Sequence, residues 1–161
     1  MVVGASVWVI RGGGDAKPLP GPHLRTLAAQ RGIVLGTAVR DDVLRRNRAY
    51  RQLVAAQFSS VTPENEMKWD AIEPARGTYD FAAADDVVER AQAAHQKVRG
   101  HTLVWHAQLP RWVKALGPAA LRQAMREHIR DVMAHYAGDV GVWDVVNEPV
   151  ADDGGLRRSV F

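Results

Sequence analysis

The chain contains no cysteine, which excludes disulfides and any thiolate-held metal site. That absence leaves the compartment open, because secreted proteins need not carry disulfides. The apolar run at the start, Met1 to Ile10, is far short of the roughly 20 residues a membrane-spanning helix needs. It also lacks the order of a signal peptide, in which basic residues precede the apolar run; here the first basic residue, Arg11, follows it. Gly12, Gly13, Gly14, Pro18, Pro20, Gly21 and Pro22 then break any regular element, so residues 1–22 are expected to form a disordered N-terminal extension. There is no short-period repeat and no low-complexity tract. The basic excess is small, a formal net charge of +3, and gathers at Arg40, Arg45, Arg46, Arg48 and Arg51. No aromatic interleaving and no nucleic-acid-binding module accompanies these arginines, so they read as the solvent face of a helix.

What is present is a domain with a core: 161 residues, 47% of them hydrophobic and 24% charged. Leu24 to Gln30 reads as a short helix stopped by Gly32. Ile33 to Val39 is an apolar run of strand length. Asp41 and Asp42 are candidate caps for a helix running to about Gln57, with Leu44, Tyr50, Leu53 and Val54 facing inward. A second strand, Phe58 to Thr62, stops at Pro63, and a charged connection runs from Glu64 to Thr78. Asp80 is the expected cap of a helix whose Phe81, Ala84, Val87, Val88 and Ala91 recur at helical spacing. A third strand spans Val98 to Val104. Gly117 and Pro118 open a helix that buries Leu121, Met125, Ile129, Val132 and Tyr136, and Gly138 ends it. Val140 to Val146 is the fourth strand. The β-α-β-α-β-α-β order predicts an α/β fold with parallel strands and right-handed crossovers.

Polar residues collect at three strand ends, where parallel α/β folds place their chemistry. The fourth strand runs into Asn147, Glu148 and Pro149. Pro149 has no N–H to continue a ladder, which leaves a carboxylate at the mouth of the sheet. A proton donor working near neutral pH needs a carboxyl kept from water, so Glu148 is expected to be buried against aromatic side chains. After the second strand, Glu64, Asn65 and Lys68 stand beside Trp69, a mixture of hydrogen-bonding groups and a flat ring that suits neutral polyols. The third strand leads into His101, Trp105, His106 and Gln108. The two histidines lack the spacing and the third ligand of a zinc site. Strand alternation puts His101 and Trp105 on one face and His106 on the other. The turn at Asp152, Asp153 and Gly154 offers too few oxygen ligands for calcium. His23, His95, His128 and His135 read as ordinary surface or packing residues.

The segments GTAVRDD, TPENEMKWDAIEP, RGHTLVWHAQLPRWV and VGVWDVVNEPVADDGGLRRSVF, in that order, closely resemble glycoside hydrolase family 10, over roughly Leu24 to Phe161. The resemblance implies a (β/α)8 barrel and a retaining endo-1,4-β-xylanase acting on xylan or xylo-oligosaccharides, without metal or cofactor and normally secreted. It makes Glu148 the general acid/base and Asn147 its neighbour on the sugar 2-hydroxyl. Glu64, Asn65 and Lys68 would bind the glycone-side xylose units. His101, Trp105, His106 and Gln108 would line the subsites beside the cleavage point.

About four strands are present where a closed barrel has eight and takes roughly 250 residues. The expected fold is therefore the N-terminal half of such a barrel, over residues 23–161. Retention needs two carboxyl groups about 5–5.5 Å apart, and the resemblance puts the nucleophile on a later strand, absent from these residues. Three consequences are expected: a chain inactive by itself, a bared apolar inner sheet face, and self-association through open sheet edges. The rival readings are a non-catalytic xylo-oligosaccharide-binding fragment and another barrel-type β-1,4-glycanase.

Overall fold

The computed structural model describes residues 21–161, so the expected N-terminal extension lies almost wholly outside the described residues. Four strands, β1 (Gly36–Val39), β2 (Ser60–Pro63), β3 (Lys97–Trp105) and β4 (Val140–Asn147), form one parallel sheet in the spatial order β1-β2-β3-β4. Helix α1 (Leu24–Ala29) precedes β1, and α2 (Asp41–Arg46) and α3 (Arg48–Gln57) join β1 to β2. The next crossover holds α4 (Trp69–Ile72) and α5 (Ala82–Ala93), and the last holds α6 (Arg111–Lys114) and α7 (Pro118–His135). This is the α/β arrangement of successive βα units predicted above, open at both edges among the described residues.

The core fills the space between the sheet and the helices. Val39, Val61, Val98 and Leu103 from the strands meet Leu44, Val54, Val87, Val88 and Val132 from the helices. These are the positions that helical spacing and strand patterning select. A second cluster, Trp69, Leu109, Val113, Leu121 and Ala124, lies under the connections that leave β2 and β3. Gly100 is required by this packing, because a Cβ there would overlap the indole of Trp143.

Some local expectations are corrected. The single helix over 41–57 breaks at Asn47, which takes up φ −115° and ψ 98°. Its side chain accepts the Tyr50 N–H at 2.9 Å and so caps α3. Asparagine competes with helix continuation in this way because its short side chain can replace a backbone acceptor. The first strand is shorter than its apolar run: Ile33 and Val34 are exposed. The Leu35 carbonyl just before β1 receives the Ser59 and Ser60 N–H groups. Asp80 does accept a hydrogen bond at the start of α5, from the Ala82 N–H at 3.1 Å. His95 lies just past α5 rather than within it.

The sheet face away from the helices is not the bare apolar surface expected. Thr62, Glu64, Arg99, His101 and Asp144 line an open groove there, and β4 exposes Val142, Val145 and Val146. A bonded Arg99–Asp144 pair lets this face stand in water. The clustered arginines are similarly engaged: Arg40 with Asp42, Arg45 with Asp41, and Arg51 with the Leu44 carbonyl. No helix among the described residues is long and apolar enough to cross a membrane.

Candidate active site

Strands β3 and β4 end level with each other, Trp105 opposite Asn147 in the ladder, so Glu148 emerges at the rim beside the end of β3. Glu148 has φ +51°, a left-handed backbone that non-glycine residues adopt at a cost of order 1–3 kcal/mol and that persists where surrounding contacts impose it. Those contacts are visible. The Trp105 Nε1–H donates to Glu148 Oε2 at 3.0 Å, and Arg157 Nε donates to the Glu148 carbonyl at 3.1 Å. His106 Nε2 stands 3.9 Å from the same Oε2. Lys68 Nζ lies 4.5 Å above the centre of the Trp105 ring, a cation–π distance. Lys68, Trp105, His106 and Glu148 thus form one cluster from three strand ends.

Lys68 is buried, and that burial holds its ammonium below the usual lysine range, while Glu148, Asp144, Asp70 and Glu64 pull in the opposite direction. Beside it, Gln108 Nε2 donates to Asn65 Oδ1 at 3.3 Å, and the Asn65 carbonyl accepts the Lys68 N–H at 3.0 Å. Gln108 also takes a left-handed backbone, φ +45°. Glu64 is fixed by its main chain, whose N–H bonds the Val39 carbonyl at 2.8 Å, and its side chain faces the groove that holds His101.

His101 lies deeper in the groove and is served by two residues the sequence reading did not single out. Its Nδ1 is 2.9 Å from Asp144 Oδ2, and Arg99 grips the same carboxylate through Nε and Nη2. The Arg99 bonds hold Asp144 below the usual carboxylate range, helped by His101 and opposed by partial burial. An ionised carboxylate only accepts, so His101 donates its Nδ1–H to Asp144, and Nε2 is the ring nitrogen left for a ligand hydroxyl. Arg99 and His101, two apart on a strand, share a face. That much was available from sequence; the His101–Asp144 register was not.

Two site expectations are corrected. His106 does not point away from Trp105. Strict alternation lapses after His101, where Thr102, Leu103 and Val104 are all buried and the β3/β4 register shifts. Both Trp105 and His106 therefore reach Glu148. The burial of Glu148 is not found either: its side chain is 50% exposed, and Trp105 and His106 both approach the same oxygen, Oε2. Two other acidic groups of the second-strand connection have structural partners. Glu66 accepts the N–H groups of Asp41 and Asn65. Glu73 is buried and accepts from Trp69 Nε1, the Gly77 N–H and His128 Nδ1. No group of three or more His, Asp or Glu among the described residues could hold a metal ion.

Comparison with known proteins places this geometry. The model of Glycosyl hydrolase family 10 matches residues 23–161. A β-1,4-xylanase of Dictyoglomus thermophilum is 48% identical over 112 residues, 68% of this chain and 32% of that protein. An endo-1,4-β-xylanase of Agaricus bisporus is 42% identical over 143 residues, 86% of this chain and 43% of the relative. The crystal structure of xylanase 10B from Thermotoga petrophila in complex with xylobiose superposes with a TM-score of 0.83 at 39% identity, covering 88% of this chain and 45% of that one. The native xylanase 10B of Thermotoga maritima gives 0.82 at 41% identity, covering 86% and 44%. The chain spans less than half the length of each of these relatives. By the family match and these likenesses together, it belongs to glycosyl hydrolase family 10.

Proposed function

We propose that this chain supplies the acid/base and the glycone-side subsites of a retaining endo-1,4-β-xylanase. The observation that carries the reading is Glu148, held at the rim in a left-handed backbone with its Oε2 bonded by the Trp105 indole. With Oε2 engaged, Oε1 is the oxygen left to shuttle a proton. In the first step Glu148 protonates the glycosidic oxygen as the aglycone leaves. In the second it takes a proton from the water that attacks the glycosyl-enzyme. Lys68, Asn65, Gln108 and Glu64 bind sugar hydroxyls on the glycone side, and His101 bonds a hydroxyl through Nε2. Trp105 offers its ring edge to the same subsite, and Asn147 bonds the 2-hydroxyl. Xylan is an extracellular polymer, so the reading includes export.

Retention needs a second carboxyl beside Glu148, and three of the carboxylates near the site are committed elsewhere. Glu66 and Glu73 bond backbone and buried donors, and Asp144 is held by Arg99 and His101. The chain alone should therefore bind xylo-oligosaccharides and release no reducing sugar. Among the described residues the outer edges of β1 and β4 are unpaired, and these are the surfaces through which copies would associate.

The test pairs a reducing-sugar assay on xylan with calorimetry against xylohexaose. Binding without turnover is expected, and retaining cleavage by this chain alone would overturn the division of the site. In an enzyme completed by the later strands, Glu148→Gln should lower kcat on xylan by about 10²–10⁴-fold, the usual worth of a general acid/base. Unchanged turnover there would remove Glu148 from its role.

A further inference from the structure

Glu66 takes no part in the mechanism above, yet its carboxylate joins two elements. Oε1 accepts the Asp41 N–H, the first residue of α2, at 2.7 Å. Oε2 accepts the Asn65 N–H at 3.0 Å. Helix α2 has no cap of its own, because Arg40 at the capping position offers no acceptor, so a side chain 25 residues away along the chain supplies one. The same group fixes Asn65, whose carbonyl receives the Lys68 N–H and whose side chain receives Gln108. Through Arg45, which reaches both Asp41 and Asp86, α2 is in turn braced on α5.

We infer that Glu66 is a positioning residue for the glycone-side subsite: its carboxylate clamps the Asn65 backbone to the start of α2 and so fixes the Asn65, Lys68 and Gln108 groups that receive the sugar. The inference rests on the reading of that subsite given above. A carboxylate with two backbone donors is a stiffer mount than a solvated loop, and stiff mounting lowers the ordering cost of binding. Removing it should leave the contacting side chains intact but loosely held.

Calorimetry of the 161-residue chain with xylohexaose tests this, comparing Glu66→Ala with Asn47→Ala. The second variant removes the α3 cap, a loss of the same kind that touches no subsite residue. Both should lower the melting temperature by a few degrees, the scale of one lost cap. Only Glu66→Ala should weaken xylohexaose binding, by about tenfold, the worth of a charge-assisted hydrogen bond. Only Glu66→Ala should also speed hydrogen exchange at the Asn65 N–H. Equal affinity for Glu66→Ala and the unsubstituted chain, or equal loss in both variants, would overturn the positioning role alone. Failure of the unsubstituted chain to bind xylohexaose would overturn the subsite reading and this role with it.

Discussion

The connection after β2 and the segment after β4 both carry candidate site residues, and they are built in opposite ways. From Met67 to Glu73 the first connection buries Met67, Lys68, Trp69, Ile72 and Glu73. Trp69 is stacked on His128 at 4.2 Å between ring centres and meets Trp112 edge-on. Glu73 gathers three donors beneath it. From Glu148 onward the chain is held by the Trp105 indole bond to Glu148, by a single antiparallel bridge, Val150 to Leu156, by Arg157, and by Phe161, which stacks on Trp69 at 6.4 Å between ring centres. Val150 and Leu156 there stand exposed. The glycone side of the site is thus organised from within these residues, whereas the acid/base side rests on a few rim contacts. Groups that only bind gain from a fixed mount, and this chain provides one.

The sharpest way to break that contrast is to remove its buried anchor. Glu73→Ala leaves the Trp69 indole N–H and His128 without their acceptor in a dry place, and removes the acceptor of the exposed Gly77 N–H. Stranded buried donors cost about 1–3 kcal/mol each, so with two of them urea denaturation should show a loss of about 3–5 kcal/mol. The effect has a pH signature. Burial would raise the Glu73 pKa, but the bonds from His128, Gly77 and Trp69 outweigh it and hold the group below its usual 4.5. A depressed folded pKa gives stability that is present above 4.5 and is lost as the pH falls through the folded value. The unsubstituted chain should therefore lose stability on acidification below 4.5, and the Glu73→Ala variant should lose less there.

The contrast was only partly legible in the sequence. Strand and helix order, the inward residues of α5, and Leu121 and Val132 on α7 followed from periodicity, because burial on one face leaves a regular trace; the buried Ala124 and His128 of α7 did not. The break at Asn47 did not, since a capping asparagine looks like an ordinary polar helix residue until its side chain is seen bonding the Tyr50 N–H. Glu148, Lys68, Trp105 and His106 could be proposed from strand ends and family likeness. Their mutual distances could not, because the end of β3 abandons alternation. Asp144, Glu66 and Glu73 were missed or set aside for one reason: each acts on a partner far along the chain, fixed by register or by loop path. His128 was read as a surface or packing residue; it is fully buried, and its burial against Glu73 depends on a contact 55 residues apart.

A smaller perturbation, of opposite sign, probes how the first connection is tied to the helix layer. Asp41 is buried at the start of α2, and burial together with the neighbouring Asp86 pushes it up from 3.8 to about 6. Arg45 works against that shift and Glu66 adds to it. The fold therefore prefers the protonated form. That preference stabilises fully below 3.8 and is lost as the pH rises through about 6. Above 6 the ionised group costs at most about 3 kcal/mol. Asp41→Asn mimics the protonated state and keeps the backbone N–H that Glu66 accepts. Its melting temperature should exceed that of the unsubstituted chain above pH 6 and converge with it below pH 4. A gain that is constant with pH would show that ionisation of Asp41 is not what strains this anchor.

The smallest expected effect lies in the segment after β4. Leu156 is 83% exposed, and its part in the bridge to Val150 is made by the backbone, which any side chain permits. Leu156→Ala removes little apolar area from contact, so the change in unfolding free energy should stay within about 0.5 kcal/mol. Set beside the loss expected for Glu73→Ala, that near-zero value would measure how unequally the two sides of the site are supported. A loss above about 2 kcal/mol would mean that the Leu156 side chain is packed in solution. The rim around Glu148 would then be as firmly built as the connection opposite it, and the contrast between the two would fall.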